Sequence, residues 1–213
     1  MEKIVIAGAG AHCKVVLDVL SETRQYEPVG ILDSVPSGNV LGVPVLGADA
    51  LMQDLLESGV AKAFVAIGNN TVRKKVSMKM ERAGFEIVTL ISAYAVVSQY
   101  ATIGKGCLVM PGAIINAGAS IGEGCIINTN ASVDHDCVID SYCHVAPGCA
   151  ISGSTMIGAD SFLGTGSRVI DRLKIGKNVM LGAGAVVISD LPDNCTAVGV
   201  PARIIKRQEK KDG

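Results

Sequence analysis

The stretch that decides the fold is residues 107–139, "CLVMPGAIINAGASIGEGCIINTNASVDHDCVI", in which an aliphatic residue returns at every sixth position. The register continues without interruption in both directions. A helix repeats every 3.6 residues and a strand every two, so neither explains a period of six. The sixteen aliphatic positions are Val97, Ile103, Val109, Ile115, Ile121, Ile127, Val133, Ile139, Val145, Ile151, Ile157, Leu163, Val169, Ile175, Leu181 and Val187.

A second column lies two residues before each aliphatic position and holds mostly Ala and Cys, with Thr, Ser, Leu and Val near its end. A period of six suits one side of a triangular parallel β-helix, where a short strand with an inward aliphatic residue is followed by a tight turn. Three such hexads make a coil of eighteen residues. Stacked coils bury the inward aliphatic side chains, which a single coil would leave exposed at its open ends. The hexads therefore predict a parallel β-helix.

Three cysteines, Cys107, Cys125 and Cys143, lie eighteen residues apart. Equivalent residues on successive coils stack about 4.8 Å apart. This column could hold a metal ion, but its members occupy the small inward position that Ala fills elsewhere, and no CxxC pair occurs. We predict that these cysteines pack as small hydrophobic residues, with no metal site.

The first ninety residues alternate between strand-like and helix-like segments. Strands are predicted at 3–10, 28–34, 61–70 and 85–92, helices at 11–23, 48–59 and 71–84, and a turn-rich segment at 35–47. Such alternation predicts a small parallel sheet flanked by helices. The chain is thus expected to be an α/β domain followed by a β-helix.

Charge and hydropathy exclude some functions. The chain of 213 residues has 19 Lys and Arg against 20 Asp and Glu, so no global field favours nucleic acid or an anionic membrane. No apolar stretch approaches the roughly 20 residues that span a bilayer, and the N-terminus does not resemble a signal peptide. We expect a cytoplasmic protein in which all seven cysteines are reduced thiols.

Three predicted strand ends carry residues suited to ligand binding. These are Gly8 to His12, Asp33 with Ser34, and Gly68 to Asn70. Ligands of parallel α/β sheets bind beyond the carboxyl ends of the strands. "GAGAHC" is only a partial dinucleotide fingerprint, and packing glycines would produce it as often as phosphate binding. Together with Asp33 at a second strand end it supports a nucleotide or nucleotide-sugar. The first ninety residues are short for a full dinucleotide-binding domain, so NAD is the poorer choice.

His135 lies two positions after the inward Val133, where the strand enters its turn, so its side chain should project outward. A histidine titrates close to neutrality and can act as a general base. The alternative is an ordinary surface turn residue. Asp134, on the adjacent position, is predicted to be a solvated turn residue.

The motifs "GAGAHC", "LDS", "AIGNN", "NTNASVDHD" and "AVGVPARIIK" together cover nearly the whole chain. On these motifs the chain resembles the bacterial UDP-4-amino-sugar N-acetyltransferases of the bacillosamine type and the sialic acid O-acetyltransferases. The resemblance implies a Rossmann-like α/β domain over 1–92 that binds a nucleotide-sugar. It also implies a left-handed parallel β-helix over 93–213 that carries the acetyltransferase site and a C-terminal tail.

The resemblance further implies acetyl-CoA as the donor and a homotrimer with active sites between neighbouring β-helices. It assigns His135 as the general base and Asp136 as the carboxylate that raises its basicity. The amino-sugar enzymes carry Glu at that place, so the contact from the shorter Asp136 is expected to be longer or less ideal.

The remaining site residues also come from the resemblance. Those assigned to the nucleotide-sugar are Gly10, Ala11, His12, Asp33, Ser34, Gly68, Asn69 and Asn128. Those assigned to acetyl-CoA are His144, Thr165 and Ala183. Thr165 and Ala183 are eighteen residues apart and should stack, which suits an extended pantetheine arm. His12 could instead simply start a helix, and His144 could be a surface or trimer-contact residue.

We therefore expect an acetyl-CoA-dependent N-acetyltransferase that acts on the 4-amino group of a UDP-linked amino sugar, with no metal cofactor. One alternative is an O-acetyltransferase that acts on a sugar hydroxyl such as that of sialic acid. The other is a non-catalytic β-helix protein that binds a ligand.

Overall fold

The computed structural model describes residues 1–34 and 38–207. The chain divides into two compact units, Met1–Ala93 and Tyr94–Gly213. Each unit has a hydrophobic core of its own, and each is described separately below.

The first unit alternates strands and helices. Its helices are α1 (Ala11–Thr23), α2 (Met52–Glu57) and α3 (Asn70–Ala83), with a 3₁₀ turn over Asp49–Leu51. Its strands are β1 (Glu2–Ala7), β2 (Tyr26–Leu32), β3 (Asn39–Val40), β4 (Val43–Gly47), β5 (Lys62–Val65), β6 (Glu86–Ile87) and β7 (Leu90–Ile91).

The sheet of this unit has the strand order β3-β4-β2-β1-β5-β6. Strand β1 is central and pairs in parallel with β2 and β5. Its residues Ile4, Val5 and Ile6 are fully buried, which explains their uninterrupted apolar sequence because helix-flanked parallel strands are covered on both faces. The predicted Rossmann-like parallel α/β fold is confirmed.

The segment 35–47, which we predicted to be turn-rich, also contains two strands in its second part, joined by a turn at Leu41–Gly42. Strands β3 and β4 pair antiparallel, and β4 also pairs with β2. The Asn39 side chain accepts a hydrogen bond from Gly42 N, which has a φ of 86°. Pro44 and the glycines had suggested a loop, but Pro is tolerated at a sheet edge. Residues 35–37 lie outside the described part.

The second unit is built from short strands, followed by two longer ones. They are β8 (Val96–Val97), β9 (Thr102–Ile103), β10 (Leu108–Val109), β11 (Ile114–Ile115), β12 (Ser120–Ile121), β13 (Ile126–Ile127), β14 (Ser132–Val133), β15 (Val138–Ile139), β16 (His144–Val145), β17 (Ala150–Ile151), β18 (Met156–Ile157), β19 (Phe162–Leu163), β20 (Arg168–Val169), β21 (Lys174–Ile175), β22 (Met180–Leu181), β23 (Val186–Val187), β24 (Cys195–Val198) and β25 (Arg203–Arg207).

These strands form the three faces of a prism, and each strand of the repeat pairs in parallel with the strand eighteen residues further on. Face one carries β10, β13, β16, β19 and β22, face two β8, β11, β14, β17, β20 and β23, and face three β9, β12, β15, β18 and β21. The predicted left-handed parallel β-helix is confirmed. Part of the predicted tail forms β25, which pairs antiparallel with β24.

The cysteines of the inward column are buried and free, but they do more than fill space. The thiol of Cys107 donates to Gly122 O at 3.0 Å, that of Cys125 to Asp140 O at 3.1 Å, and that of Cys143 to Gly158 O at 3.2 Å. Each thiol therefore satisfies a turn carbonyl of the next coil. Among the described residues, no group of three or more His, Cys, Asp or Glu side chains could hold a metal ion.

Over the ranges 1–34 and 38–207, no helix is both long enough and apolar enough to cross a membrane.

Candidate active site

The corner between faces two and three carries residues 134–137, which join β14 to β15. The inward neighbours Val133 and Cys137 are completely buried. This anchoring leaves the residues between them outside the prism. The side chain of His135 is 59% exposed, as its position after the inward Val133 predicts.

Asp136 contacts the His135 ring directly, with 2.9 Å between His135 Nδ1 and Asp136 Oδ2. The expectation of a longer contact was wrong. The two residues are adjacent in a tight corner in which Asp136 has a φ of 58°, so a short carboxylate reaches the ring. When Nδ1–H donates to this carboxylate, Nε2 of the neutral ring is left as the proton acceptor.

The hydrogen bond from His135 to Asp136, followed by the charge of Asp134, raises the pKa of His135 above its ordinary value. Both effects favour the imidazolium, because a nearby negative charge stabilises the protonated ring. The pair can therefore take up a proton at Nε2 and hold the resulting charge.

Asp134 is not the solvated turn residue that we predicted. Its Oδ1 accepts from Asn116 Nδ2 at 2.8 Å and from the backbone N of His135 at 2.7 Å. The bond from Asn116, followed by the one from the His135 backbone, lowers the pKa of Asp134. Asp134 therefore stays ionised and fixes the backbone of His135.

In the first unit, the strand ends that carry the nucleotide-sugar candidates lie side by side, because Ala7 pairs with Leu32 and Val65. Asp33 Oδ2 accepts from Ala9 N at 2.7 Å and so ties the loop before Gly10 and Ala11 to the end of β2. Ser34 follows on the exposed surface.

His12 lies in the first turn of α1. Burial, followed by the charge of Arg73, lowers its pKa to about 4. His12 is therefore neutral near pH 7 and can serve as a hydrogen-bonding group, but it cannot provide a positive charge for a phosphate.

Arg73 is a residue of this region that the sequence did not reveal. It is 1% exposed, and its guanidinium donates to Ile67 O at 3.2 Å, Gly68 O at 3.0 Å and Asn70 Oδ1 at 2.8 Å. Arg73 thus fixes the loop that contains Gly68. It sits among other polar residues of a helix, so no signal in the sequence distinguished it.

Asn69 has a structural task, because its side chain caps α3 by accepting from Val72 N at 3.0 Å. Such caps typically contribute about 1 kcal/mol to stability. The assignment of Asn69 to the substrate stays a prediction.

Two candidates from the second unit contact each other. Asn128 Nδ2 lies 3.0 Å from His144 Nε2. His144 is only 8% exposed, and Phe162 packs edge-on against its ring at 5.1 Å between centroids. His144 is therefore not the surface residue that we had considered as an alternative.

Thr165 and Ala183 stack on consecutive coils at the corner between faces one and two. Gly184 N donates to Thr165 O at 2.8 Å, and both Thr165 and Ala183 are exposed. They lie on a different corner from His135, which follows β14 and precedes β15.

A β-helix of hexads with an exposed histidine–carboxylate pair at one corner is the arrangement expected of a hexapeptide-repeat acyltransferase. Residues 3–80 match the model of the PglD N-terminal domain. Residues 100–135 and 118–153 match the bacterial transferase hexapeptide model.

Solved structures match over nearly the full length. A variant of perosamine N-acetyltransferase from Caulobacter crescentus, in complex with CoA and GDP-perosamine, is 43% identical with a TM-score of 0.94, covering 97% of this chain and 98% of that one. The acetyltransferase domain of PglB from Neisseria gonorrhoeae, in complex with acetyl coenzyme A, is 38% identical with a TM-score of 0.92, covering 96% and 99%.

Among curated relatives, UDP-N-acetylbacillosamine N-acetyltransferase of Bacillus subtilis is 37% identical over 118 residues, which is 52% of each chain. The matched stretches span about half or less of the length of the curated relatives. Taken with the full-length structural matches, these findings show that the chain belongs to the family of hexapeptide-repeat amino-sugar N-acetyltransferases with a PglD-type N-terminal domain. The predicted resemblance is confirmed.

Proposed function

We propose that the protein transfers the acetyl group of acetyl-CoA to the 4-amino group of a nucleotide-linked amino sugar, with UDP as the predicted nucleotide. The observation that carries the proposal is the exposed His135–Asp136 pair, with 2.9 Å between Nδ1 and Oδ2. Membership of a family of amino-sugar N-acetyltransferases supports the same reaction.

In this reaction, the amine nitrogen attacks the thioester carbonyl carbon while His135 Nε2 removes one of its protons. The C–N bond forms, the C–S bond breaks, and the proton passes from the imidazolium to the departing CoA sulfur. Asp136 holds the ring and stabilises its cation. A well-placed base contributes typically about 10²–10⁴-fold to the rate.

The nucleotide-sugar is assigned to the strand ends of the first unit. Asp33 holds the loop that contains Ala9, and Arg73 holds the loop that contains Gly68. Both loops lie at the carboxyl edge of the sheet, where ligands of such sheets bind. Neutral His12 fits a nucleobase or a hydroxyl group better than a phosphate.

Acetyl-CoA is assigned to His144, Thr165 and Ala183 in the second unit. Thr165 and Ala183 form an exposed column along the prism axis. An extended chain such as the pantetheine arm can follow a column of this kind, and the small side chain of Ala183 leaves room for it.

We further propose a homotrimer in which a neighbouring copy completes each site. His135 lies at one corner of the prism and the Thr165–Ala183 column at another. One copy therefore presents His135 and the Thr165–Ala183 column on opposite sides of face two. Closed symmetric assembly of three copies can bring His135 of one copy against the Thr165–Ala183 column of the next.

Subunit complementation tests this assembly. The variant His135→Ala lacks the base, and Ala183→Trp obstructs the acetyl-CoA column. The two would be co-expressed with different tags, purified as mixed oligomers, and assayed at an acetyl-CoA concentration at which each variant alone has little activity. In a mixed trimer whose sites are shared between neighbouring copies, one of the three sites combines an intact base with an intact acetyl-CoA column, so about a third of the wild-type activity should be recovered. Sites contained within one chain should recover none.

The reaction is tested by incubating the purified protein with acetyl-CoA, a thiol reagent and a panel of UDP- and GDP-linked 4-amino sugars. Mass spectrometry with NMR of the product distinguishes an N-acetyl from an O-acetyl group. An O-acetylated product would replace the proposal with its first alternative. Release of no CoA thiol with any sugar would favour a non-catalytic binding protein.

We also propose a cytoplasmic location for the protein, as predicted from its sequence.

A further inference from the structure

The His135 ring lies against Gly153, the equivalent residue of the next coil. A Cβ atom built on Gly153 would be 2.5 Å from Nε2, 2.6 Å from Cε1 and 3.1 Å from Cδ2 of His135. Two of these distances are shorter than any non-bonded contact of carbon that a folded protein tolerates. The imidazole therefore occupies space that exists only because residue 153 has no side chain.

Asp136 has a similar relationship with the preceding coil. A Cβ atom on Gly118 would be 2.4 Å from Oδ1 of Asp136. The His135–Asp136 pair thus lies between two glycines, with Gly118 one coil before and Gly153 one coil after.

The backbone does not explain why residue 153 is glycine. Gly118 has a φ of 74°, which favours glycine whatever surrounds it. The φ of Gly153 lies outside the left-handed region, so its backbone would accept Ala without strain. The nearest atoms around it belong to the His135 ring, and the ring accounts for the glycine.

A methyl group at position 153 would force the ring to move. The imidazole is rigid and planar, so a shift of Nε2 and Cε1 away from Gly153 also rotates Nδ1. That rotation lengthens the 2.9 Å contact with Asp136. It also redirects Nε2, the atom to which the proposed function assigns proton removal.

We propose that Gly153 is a positioning residue, which seats the His135 imidazole against Asp136 and aims Nε2, with Gly118 giving the matching space to the Asp136 carboxylate. The proposal deepens the proposed function and rests on it for the effect on catalysis. Its geometric part can be tested without any turnover.

The titration of the His135 ring reports its position. The charged groups that face it are Asp134 and Asp136. The adjoining corner residues of the coil before and the coil after carry no titratable side chain; they are Asn116, Ala117, Gly118, Ser152, Gly153 and Ser154. Separation of the ring from Asp136 should therefore bring its pKa down towards the ordinary value of about 6.5.

The test is the variant Gly153→Ala. We expect kcat to fall by about 10- to 100-fold, because small displacements of a reacting group have effects of that size. The KM for acetyl-CoA and the melting temperature should change little. The His135 ring resonances, followed by NMR against pH, should show a lower pKa than in the wild type.

Two controls separate positioning from a general structural effect. Ala159→Ser adds one heavy atom at the same place in a hexad on another corner, and should leave kcat and the His135 titration unchanged. In a His135→Ala background, Gly153→Ala should cause no further loss of activity, because the residue it acts through is gone.

An unchanged His135 pKa and an unchanged kcat in Gly153→Ala would overturn the proposal, as would an equal loss of activity in the His135→Ala background. Absence of acetyltransferase activity in the wild type, together with a lowered His135 pKa in Gly153→Ala, would instead reject the proposed function and keep the positioning role.

Discussion

Asn128 donates a hydrogen bond to His144, with 3.0 Å between Nδ2 and Nε2. The direction of the bond is determined by the rest of the amide. Asn128 Oδ1 accepts from the backbone N of Thr129 at 2.8 Å, so the atom facing His144 is the NH₂ group, which can only donate. Nε2 of His144 is therefore an acceptor, and its proton sits on Nδ1.

We predict that His144 is neutral and carries its proton on Nδ1, which ¹⁵N NMR of the ring would show directly. Asn128→Asp should reverse the bond, because a carboxylate accepts from Nε2–H and raises the pKa of the ring. A wild-type ring protonated on Nε2 would contradict the hydrogen-bond direction.

The same bond predicts coupling between the two substrates. Asn128 is assigned to the sugar and His144 to acetyl-CoA, so Asn128→Leu should raise the KM of both. Calorimetric titration of each substrate into the variant measures the two effects separately. If Asn128→Leu weakens the binding of the sugar alone, the Asn128–His144 hydrogen bond does not couple the binding of the two substrates.

We predict that His135→Ala lowers kcat by at least about 10²-fold with little change in the KM for acetyl-CoA, since it removes a base and no binding contact. Steady-state kinetics with both substrates checks this. A parallel loss of melting temperature would mean that His135 stabilises the fold instead.

Asp136→Asn should move the pH profile. The active base is the neutral ring, so kcat/KM rises as pH increases through the pKa of His135, which Asp136 raises. Loss of the carboxylate charge lowers that pKa and shifts the rising limb to lower pH, while the plateau falls because the ring is less well oriented. If the rise of kcat/KM with pH occurs at the same pH in Asp136→Asn as in the wild type, the titration of the His135–Asp136 pair does not cause that rise.

We predict that Asp33→Ala raises the acceptor KM and leaves the acetyl-CoA KM nearly unchanged, and that Ala183→Trp does the reverse. Asp33→Asn is the matched control, because its amide oxygen can still accept from Ala9 N. If Asp33→Asn changes the acceptor KM little while Asp33→Ala raises it strongly, Asp33 acts by holding the loop that contains Ala9. A weakened affinity for acetyl-CoA in Asp33→Ala would reverse the assignment of the two ligands.

We predict that Cys125→Ala costs about 1–3 kcal/mol of unfolding free energy, because a small cavity forms and Asp140 O loses its donor. Cys125→Ser should cost less, since its hydroxyl can make the same bond. The chain already does this at Thr155, which donates to Ile170 O at 3.1 Å, and at Ser161, which donates to Gly176 O at 3.0 Å. Chemical denaturation compares the two variants, and both should retain activity.

The sequence predicted those features that depend on local repetition. The hexad register placed Val133 and Cys137 inside the prism and His135 outside it, because each coil repeats the environment of the one before. Helix α1 has the predicted bounds, Ala11–Thr23, since an apolar stripe and a following left-handed residue determine it locally.

The sequence could not predict features that depend on what lies opposite in space. Arg73 looks like any polar helix residue until the carbonyls of Ile67 and Gly68 are seen to surround it. Gly153 looks like one more turn glycine until the His135 ring is found against it. The pairing of β3 with β4 depends likewise on a partner strand from the sheet.

The uniform pairing of the β-helix has a consequence for how the second unit folds. In the repeat, Ile115 pairs with Val133 and Val133 with Ile151, always eighteen residues along the chain. The loop to be closed is therefore the same for every added coil, and it stays short however long the prism becomes. Folding should nucleate at one coil and propagate along the axis, as in other repeat proteins. Deletion of one whole internal coil would then shorten the prism without lengthening any loop that the chain has to close.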